Sequence, residues 1–220
     1  MSRKPIVAVI LSGCGVRDGS EIHEAVMTLL AIDRHGAEAR CFAPDMLQAA
    51  VVNHRTGEPM AETRNVLVES ARIARGKIQD LAEFDVKDCD ALILPGGFGA
   101  ATNLSSFAAD GADCQVQPAV QAAIRAMHTA GKPIGALCIA PVVVARALGK
   151  GELTIGDDPG TAGAIEAMGG HHRKAGHREV VIDRAQKLVT SPCYMLEADL
   201  TDIADDADLT VAALLSLAGK

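Results

Sequence analysis

Aromatic residues make up only 2% of this 220-residue chain, with no Trp and a single Tyr, so any core must be aliphatic and alanine-rich. Basic runs are also missing, and the formal charge is -7. Phosphate backbones and anionic bilayers need a basic face, so neither nucleic acid nor a membrane is expected as a partner. The longest apolar stretch, Pro133–Ala145, is too short to span a bilayer and holds two prolines. No glycine-rich turn ends in GK[ST], and no GxGxxG opens the first strand–helix unit, which argues against a nucleotide cofactor. The six cysteines, at 14, 41, 89, 114, 138 and 193, form no CxxC and no paired zinc-ligand spacing. They read as reduced thiols of a cytoplasmic protein, with no disulfide framework, metal or cofactor expected. Leu11-Ser12-Gly13-Cys14 looks like a lipoprotein cleavage box. The apolar run before it, Ile6–Leu11, is shorter than a signal core and follows Pro5, so no leader is expected.

What is present alternates. The length suits one domain over 1–220, able to bury about three-quarters of its unfolded surface without staples. Ile6–Leu11, Glu38–Phe42, Ala91–Leu94 and Ile134–Leu137 read as buried strands. Helical spacing covers Ser20–His35, Asn65–Arg75 and Val116–Ala130, and a further helical pattern follows Cys138. Short β-prone pieces at Leu153–Ile155, Val180–Ile182 and Leu188–Thr190 precede a terminal helix over about Met195–Leu217. Strand–helix alternation with short links predicts an α/β fold, a parallel sheet sandwiched between helices. Sites in such sheets lie beyond the carboxyl ends of the strands.

Cys138 falls at such an end, where a strand run gives way to a helix. Helix N-terminal N–H groups and the dipole favour an anion there, so the thiol is expected to have a lowered pKa and to act as a nucleophile. The alternative is a packed core thiol. Pro95-Gly96-Gly97-Phe98-Gly99 could bring backbone N–H groups towards an oxyanion, with Gly97 and Ile139 as candidate donors. Glu21 and Glu24 share a helix face, either as solvated carboxylates or as an acid/base group for Cys138. Cys14 and Cys193 also follow predicted strands, as accessory thiols or as packed ones. His171, His172 and His177 sit in a basic stretch that reads as a solvated loop, a metal cluster or a source of a base.

Two motifs, Gly135-Ala-Leu-Cys138-Ile-Ala-Pro141 and Leu94-Pro-Gly-Gly97, resemble the ThiJ/PfpI branch of the class I glutamine amidotransferase-like superfamily. Three further stretches, Ser12–Glu24, Thr63–Arg75 and Gly97–Ser105, are similar to its ElbB members, named for enhancing lycopene biosynthesis. The likeness runs from Val7 to about Met195. It implies a flavodoxin-like sandwich, usually a homodimer, with an elbow cysteine and a nearby glutamate. That glutamate typically stands twelve residues before the glycine ending the first helix; counting back from Gly36 prefers Glu24 to Glu21. Members with a Cys-His pair carry the histidine soon after the strand that follows the elbow helix. Here that stretch, Leu153–Asp158, has none, which argues against a protease or a true glutamine amidotransferase. The expected activity is a cofactor-independent glyoxalase acting on a small aldehyde such as glyoxal. The competing expectation is a non-enzymatic redox sensor with an oxidisable Cys138. The link to isoprenoids is one of family association, and no diphosphate site is visible. The polar 53–75 segment is expected to cover the site or to lie at a subunit interface.

Overall fold

The computed structural model describes residues 3–219. In chain order its elements are β1 (Ile6–Ile10), α1 (Ile22–Arg34), β2 (Glu38–Ala43), α2 (Val66–Ile73), β3 (Ile78–Asp80) and β4 (Ala91–Leu94). Then come α3 (Gly99–Thr102), α4 (Phe107–Asp110), α5 (Pro118–Thr129), β5 (Ile134–Leu137), α6 (Pro141–Leu148) and β6 (Glu152–Leu153). The chain finishes with α7 (Pro159–Ala167), β7 (His171–His172), β8 (Val181–Asp183), β9 (Leu188–Ser191) and α8 (Leu200–Leu217).

A seven-stranded sheet runs β3-β2-β1-β4-β5-β9-β8. All its pairs are parallel except the last, where β8 lies antiparallel to β9 at the edge. The expected sandwich is present, and it departs from a single parallel sheet in this antiparallel edge and in a separate two-stranded sheet of β6 and β7. Central strands are buried on both faces, and alternate residues feed two cores. Ile6, Ala8 and Ile10 of β1, with Leu92 and Leu94 of β4, pack on the side of α5 and α6. Val7, Val9 and Ile93 pack with Ala25 and Ile32 of α1 and Val211 and Leu214 of α8 on the other.

Several elements escaped the periodicity. β3 and β7 have three and two residues, too few to show a pattern. In α7, Pro159 stands in the first turn and the Asp158 side chain accepts from the Thr161 N–H at 2.7 Å, so a capped helix forms despite Gly160 and Gly163. The terminal helix begins later than the sequence suggests. A short turn occupies Cys193–Met195, and a reciprocal Asp199/Asp202 capping box sets the start at Leu200.

Candidate active site

β5 ends at Leu137, and the next residue, Cys138, takes φ +59, a left-handed conformation costly for a side chain with a Cβ. Neighbouring bonds hold it there: the Cys138 N–H donates to Ser191 O of β9 at 3.0 Å, and the Ala140 N–H donates back to Leu137 O at 2.9 Å. Pro141 then opens α6. The turn points the sulfur at the base of a cleft of about 880 Å³ beyond the carboxyl ends of β1, β4 and β5, with Cys138 itself 7% exposed. The backbone N–H groups of Gly97 and Ile139 hydrogen-bond to the sulfur. Both residues proposed as anion donors therefore meet at the thiol.

Glu24, on the first turn of α1, is fully buried against Cys138 and hydrogen-bonds to its side chain. Its Oε2 accepts from the Gly96 N–H at 2.9 Å and its Oε1 from the Tyr194 N–H at 3.2 Å. Glu21 has a different task. Its Oε2 accepts from the Glu24 N–H at 2.7 Å, capping α1, so of the two carboxylates Glu24 is the one that meets the sulfur. Glycine is required between them: a Cβ on Gly96 would lie 2.9 Å from Cys138 Sγ and 2.5 Å from Glu24 Oε2. Gly97, at φ +97, turns the chain so that its N–H faces the same atom.

The electrostatics correct one expectation. The thiol is pushed well above its ordinary value, first by burial and then by the Glu24 charge, against the smaller lowering from the Gly97 and Ile139 N–H groups. A helix N-terminus alone predicts the opposite sign, but desolvation outweighs it once the sulfur leaves water. Glu24 is raised from 4.5 to about 8, by burial, then by Glu21, against the donated bonds from Tyr194, Cys138 and Gly96. Near neutrality the pair holds nearly two protons between two acids, and Glu24 is far more basic than an ordinary carboxylate. Such a carboxylate is matched to taking a proton from a thiol.

The accessory thiols separate. Cys193 is fully buried and is raised by burial, with the charges of Glu24, Asp206 and Cys138 adding. Cys14 is half-buried, and the charges acting most on it are those of Glu69, Arg72, Asp18 and Arg64. Neither lines the cleft. The histidine stretch is not a free loop. His171 and His172 form β7 against β6, and His177 is wedged between Asp206 Oδ2 at 2.9 Å and Glu197 O at 3.0 Å. None of the three lines the cleft, and among the described residues no group of three His, Cys, Asp or Glu could hold a metal ion. Of the 53–75 segment, Gly57 reaches the cleft, next to Val52.

Sequence reasoning missed four residues. Tyr194 lines the cleft, and its OH lies 2.9 Å from Nδ1 of His23, one residue before Glu24. Arg17 and Asp158 are the two charged side chains on the cleft wall. Asp158 ends the stretch that holds no histidine, and the lone tyrosine of the chain was the one compositional hint.

A buried elbow cysteine, a glutamate on the first helix and a mostly parallel sheet define a recognisable class, and the match is direct. The model of the DJ-1/PfpI family fits residues 15–194, and the chain belongs to that family. It is 49% identical to the human "Glutamine amidotransferase-like class 1 domain-containing protein 3, mitochondrial" and 48% to the rat "ES1 protein homolog, mitochondrial". In both cases 97% of this chain aligns with 84% of the relative. Among solved structures it is similar to an isoprenoid biosynthesis protein with an amidotransferase-like domain from Ehrlichia chaffeensis. That likeness has a TM-score of 0.89 and 38% identity, covering 96% of this chain and 99% of the other. None of these names is ElbB. The expected cytoplasmic setting is overturned, because relatives at 48% and 49% identity are named mitochondrial. Reduced thiols distinguish reducing from oxidising compartments, and so they do not single out the cytosol.

Proposed function

We propose that the chain is an ElbB-type, cofactor-independent glyoxalase whose reacting atom is Cys138 Sγ. The observation that carries this reading is the contact of a buried, basic Glu24 with a thiol that also receives the Gly97 and Ile139 N–H groups. In the reaction, Glu24 takes the thiol proton and sulfur adds to one aldehyde carbon of glyoxal, giving a hemithioacetal after its oxygen is protonated. Removal of the C–H proton gives an enediol, and reprotonation at the other carbon gives a hydroxyacyl thioester. Water then hydrolyses the thioester to glycolate and regenerates the thiol. The internal redox change balances within the substrate, so no external oxidant or reductant is needed. Gly97 and Ile139 are suited to hold the developing oxyanion. Glu21 acts through Glu24, by capping its helix and raising its basicity.

The alternative, a redox sensor, has less support, since a buried and raised thiol reacts slowly with peroxide. A mitochondrial setting is supported by the relatives' names, and an association with isoprenoid synthesis by the wording attached to the Ehrlichia protein. Dimerisation implied by the resemblance is supported by α1, which exposes Ile22, Val26 and Leu30 at four-residue spacing. The test is conversion of glyoxal to glycolate by the purified protein and by Cys138→Ala. Turnover is expected to vanish in the variant, and undiminished turnover would discard the mechanism.

A further inference from the structure

The cleft is far larger than glyoxal requires. At about 880 Å³ it lies near the upper end of the roughly 300–1,000 Å³ that accommodates drug-sized ligands, whereas glyoxal has four heavy atoms. Its wall is mainly apolar, with Val16, Phe98, Phe107, Ile139 and Met195 among the lining side chains. Phe98, at 49% exposure, presents an aromatic face in a chain that has only four phenylalanines. A two-carbon dialdehyde would leave these surfaces wet.

The two charges on the wall are not equivalent. Asp158 is occupied with capping α7, where its Oδ2 accepts from the Thr161 N–H at 2.7 Å. Arg17 is uncommitted. Its backbone N–H donates to His54 Nε2 at 3.2 Å, yet its guanidinium forms no ion pair or hydrogen bond with any of the described residues. Its Nη1 stands beside Gly57, where an added Cβ would lie 3.5 Å away. An unpartnered guanidinium on the wall of an apolar cleft, with a nucleophile at the base, is a receptor for an anion on the end of a hydrocarbon stem.

We infer that this site takes a carbonyl compound with an apolar stem and a terminal anion, the carbonyl at Cys138, the stem along Phe98 and Met195, and the anion on Arg17. The inference rests on Cys138 as the reacting atom and extends the reading above from glyoxal to a larger substrate class. Carboxylate and phosphate share the recognition chemistry, and the test separates them.

Protection of Cys138 from iodoacetamide provides that test, read by mass spectrometry of the Cys138 peptide at about pH 8. The probes are hexanoate, hexyl phosphate, hexanamide and acetate. At least one six-carbon anion is expected to protect at a concentration at least tenfold below that of hexanamide or acetate. Tenfold corresponds to about 1.4 kcal/mol, within reach of one charge-assisted hydrogen bond. Whichever six-carbon anion protects better identifies the head group. In Arg17→Gln the anion advantage is expected to disappear, and in Arg17→Lys to return in part. Equal protection by hexanamide and both anions, or an anion advantage that survives Arg17→Gln, would overturn the inference. Alkylation needs no turnover, so failure of glyoxal conversion would remove the glyoxalase reading alone, while failure here would leave that reading intact.

Discussion

Replacing Glu24 with glutamine should change how stability depends on pH more than it changes stability itself. A carboxyl raised from 4.5 to about 8 in the folded state carries about 5 kcal/mol of pH-linked stability, at about 1.36 kcal/mol per pH unit. The direction follows from who holds the proton. Below 4.5 both the folded and unfolded chains are protonated, and this contribution is fully present. From 4.5 to about 8 the unfolded chain releases its proton while the folded chain keeps it, so the folded state loses ground as pH rises. Above about 8 both are ionised and the loss is complete. About 4 kcal/mol of the loss is expected between pH 5 and pH 8.5.

Glutamine cannot titrate, but its amide nitrogen must face the N–H of Gly96 or of Tyr194, costing about 1–3 kcal/mol at every pH. Comparing the two proteins at two pH values cancels that constant. Urea unfolding followed by far-ultraviolet circular dichroism is the suitable assay, because the chain has no tryptophan. From pH 5 to 8.5 the wild-type protein is expected to fall by about 4 kcal/mol relative to Glu24→Gln. Parallel curves, within about 1 kcal/mol, would refute the claim that Glu24 is protonated in the folded protein near neutrality.

Further consequences can be measured separately. If the reactive form is the pair after loss of one proton, kcat/KM for glyoxal should rise about tenfold per pH unit and level off near pH 8; a flat profile from pH 5 to 9 contradicts this. Gly96→Ala should lower stability by about 1–3 kcal/mol and slow Cys138 alkylation, since the new methyl group would intrude on Cys138 and Glu24; unchanged alkylation would show that the contact is soft. For His177, burial pulls the ring down, but the bonds to Asp206 and to the Glu197 carbonyl, with the Asp206 charge, raise it on balance. Its stabilisation is fully present below 6.5 and is lost as pH rises through the folded value. The gap between wild-type and His177→Gln should therefore narrow from pH 6 to 9, and a widening gap would reverse the assignment. Val26→Glu should convert a dimer to a monomer in size-exclusion chromatography, whereas an unchanged elution volume places the subunit contact elsewhere.

The strands that frame the site were legible because each is a short apolar run closed by a turn signal. β4 and β5 agree residue for residue with Ala91–Leu94 and Ile134–Leu137, and Pro95-Gly96-Gly97 and the Cys138 turn mark their ends. Cys138 was visible as the junction between two periodicities, and Glu24 by counting back from Gly36 with the resemblance as guide. The sign of the thiol shift was not legible. It depends on burial by segments remote in sequence, among them those bearing Glu24 and Gly96, whereas the sequence displays only the local helix start. Arg17, Tyr194 and Asp158 stayed hidden for a related reason. They follow β1, β9 and β6 respectively, and only the folded chain brings these three stretches to one rim.

The Tyr194 N–H that reaches Glu24 joins positions 170 residues apart, and β5 is flanked by a strand that begins only at Leu188. During synthesis, the segment bearing Cys138 is therefore finished long before the Tyr194 N–H can reach Glu24. A nascent chain that has not yet reached Tyr194 carries both Glu24 and Cys138 but lacks this bond between the last strand's turn and the Glu24 carboxyl. The setting that holds Cys138 against Glu24 is therefore a property of the finished sheet and not of the strand-to-helix turn alone.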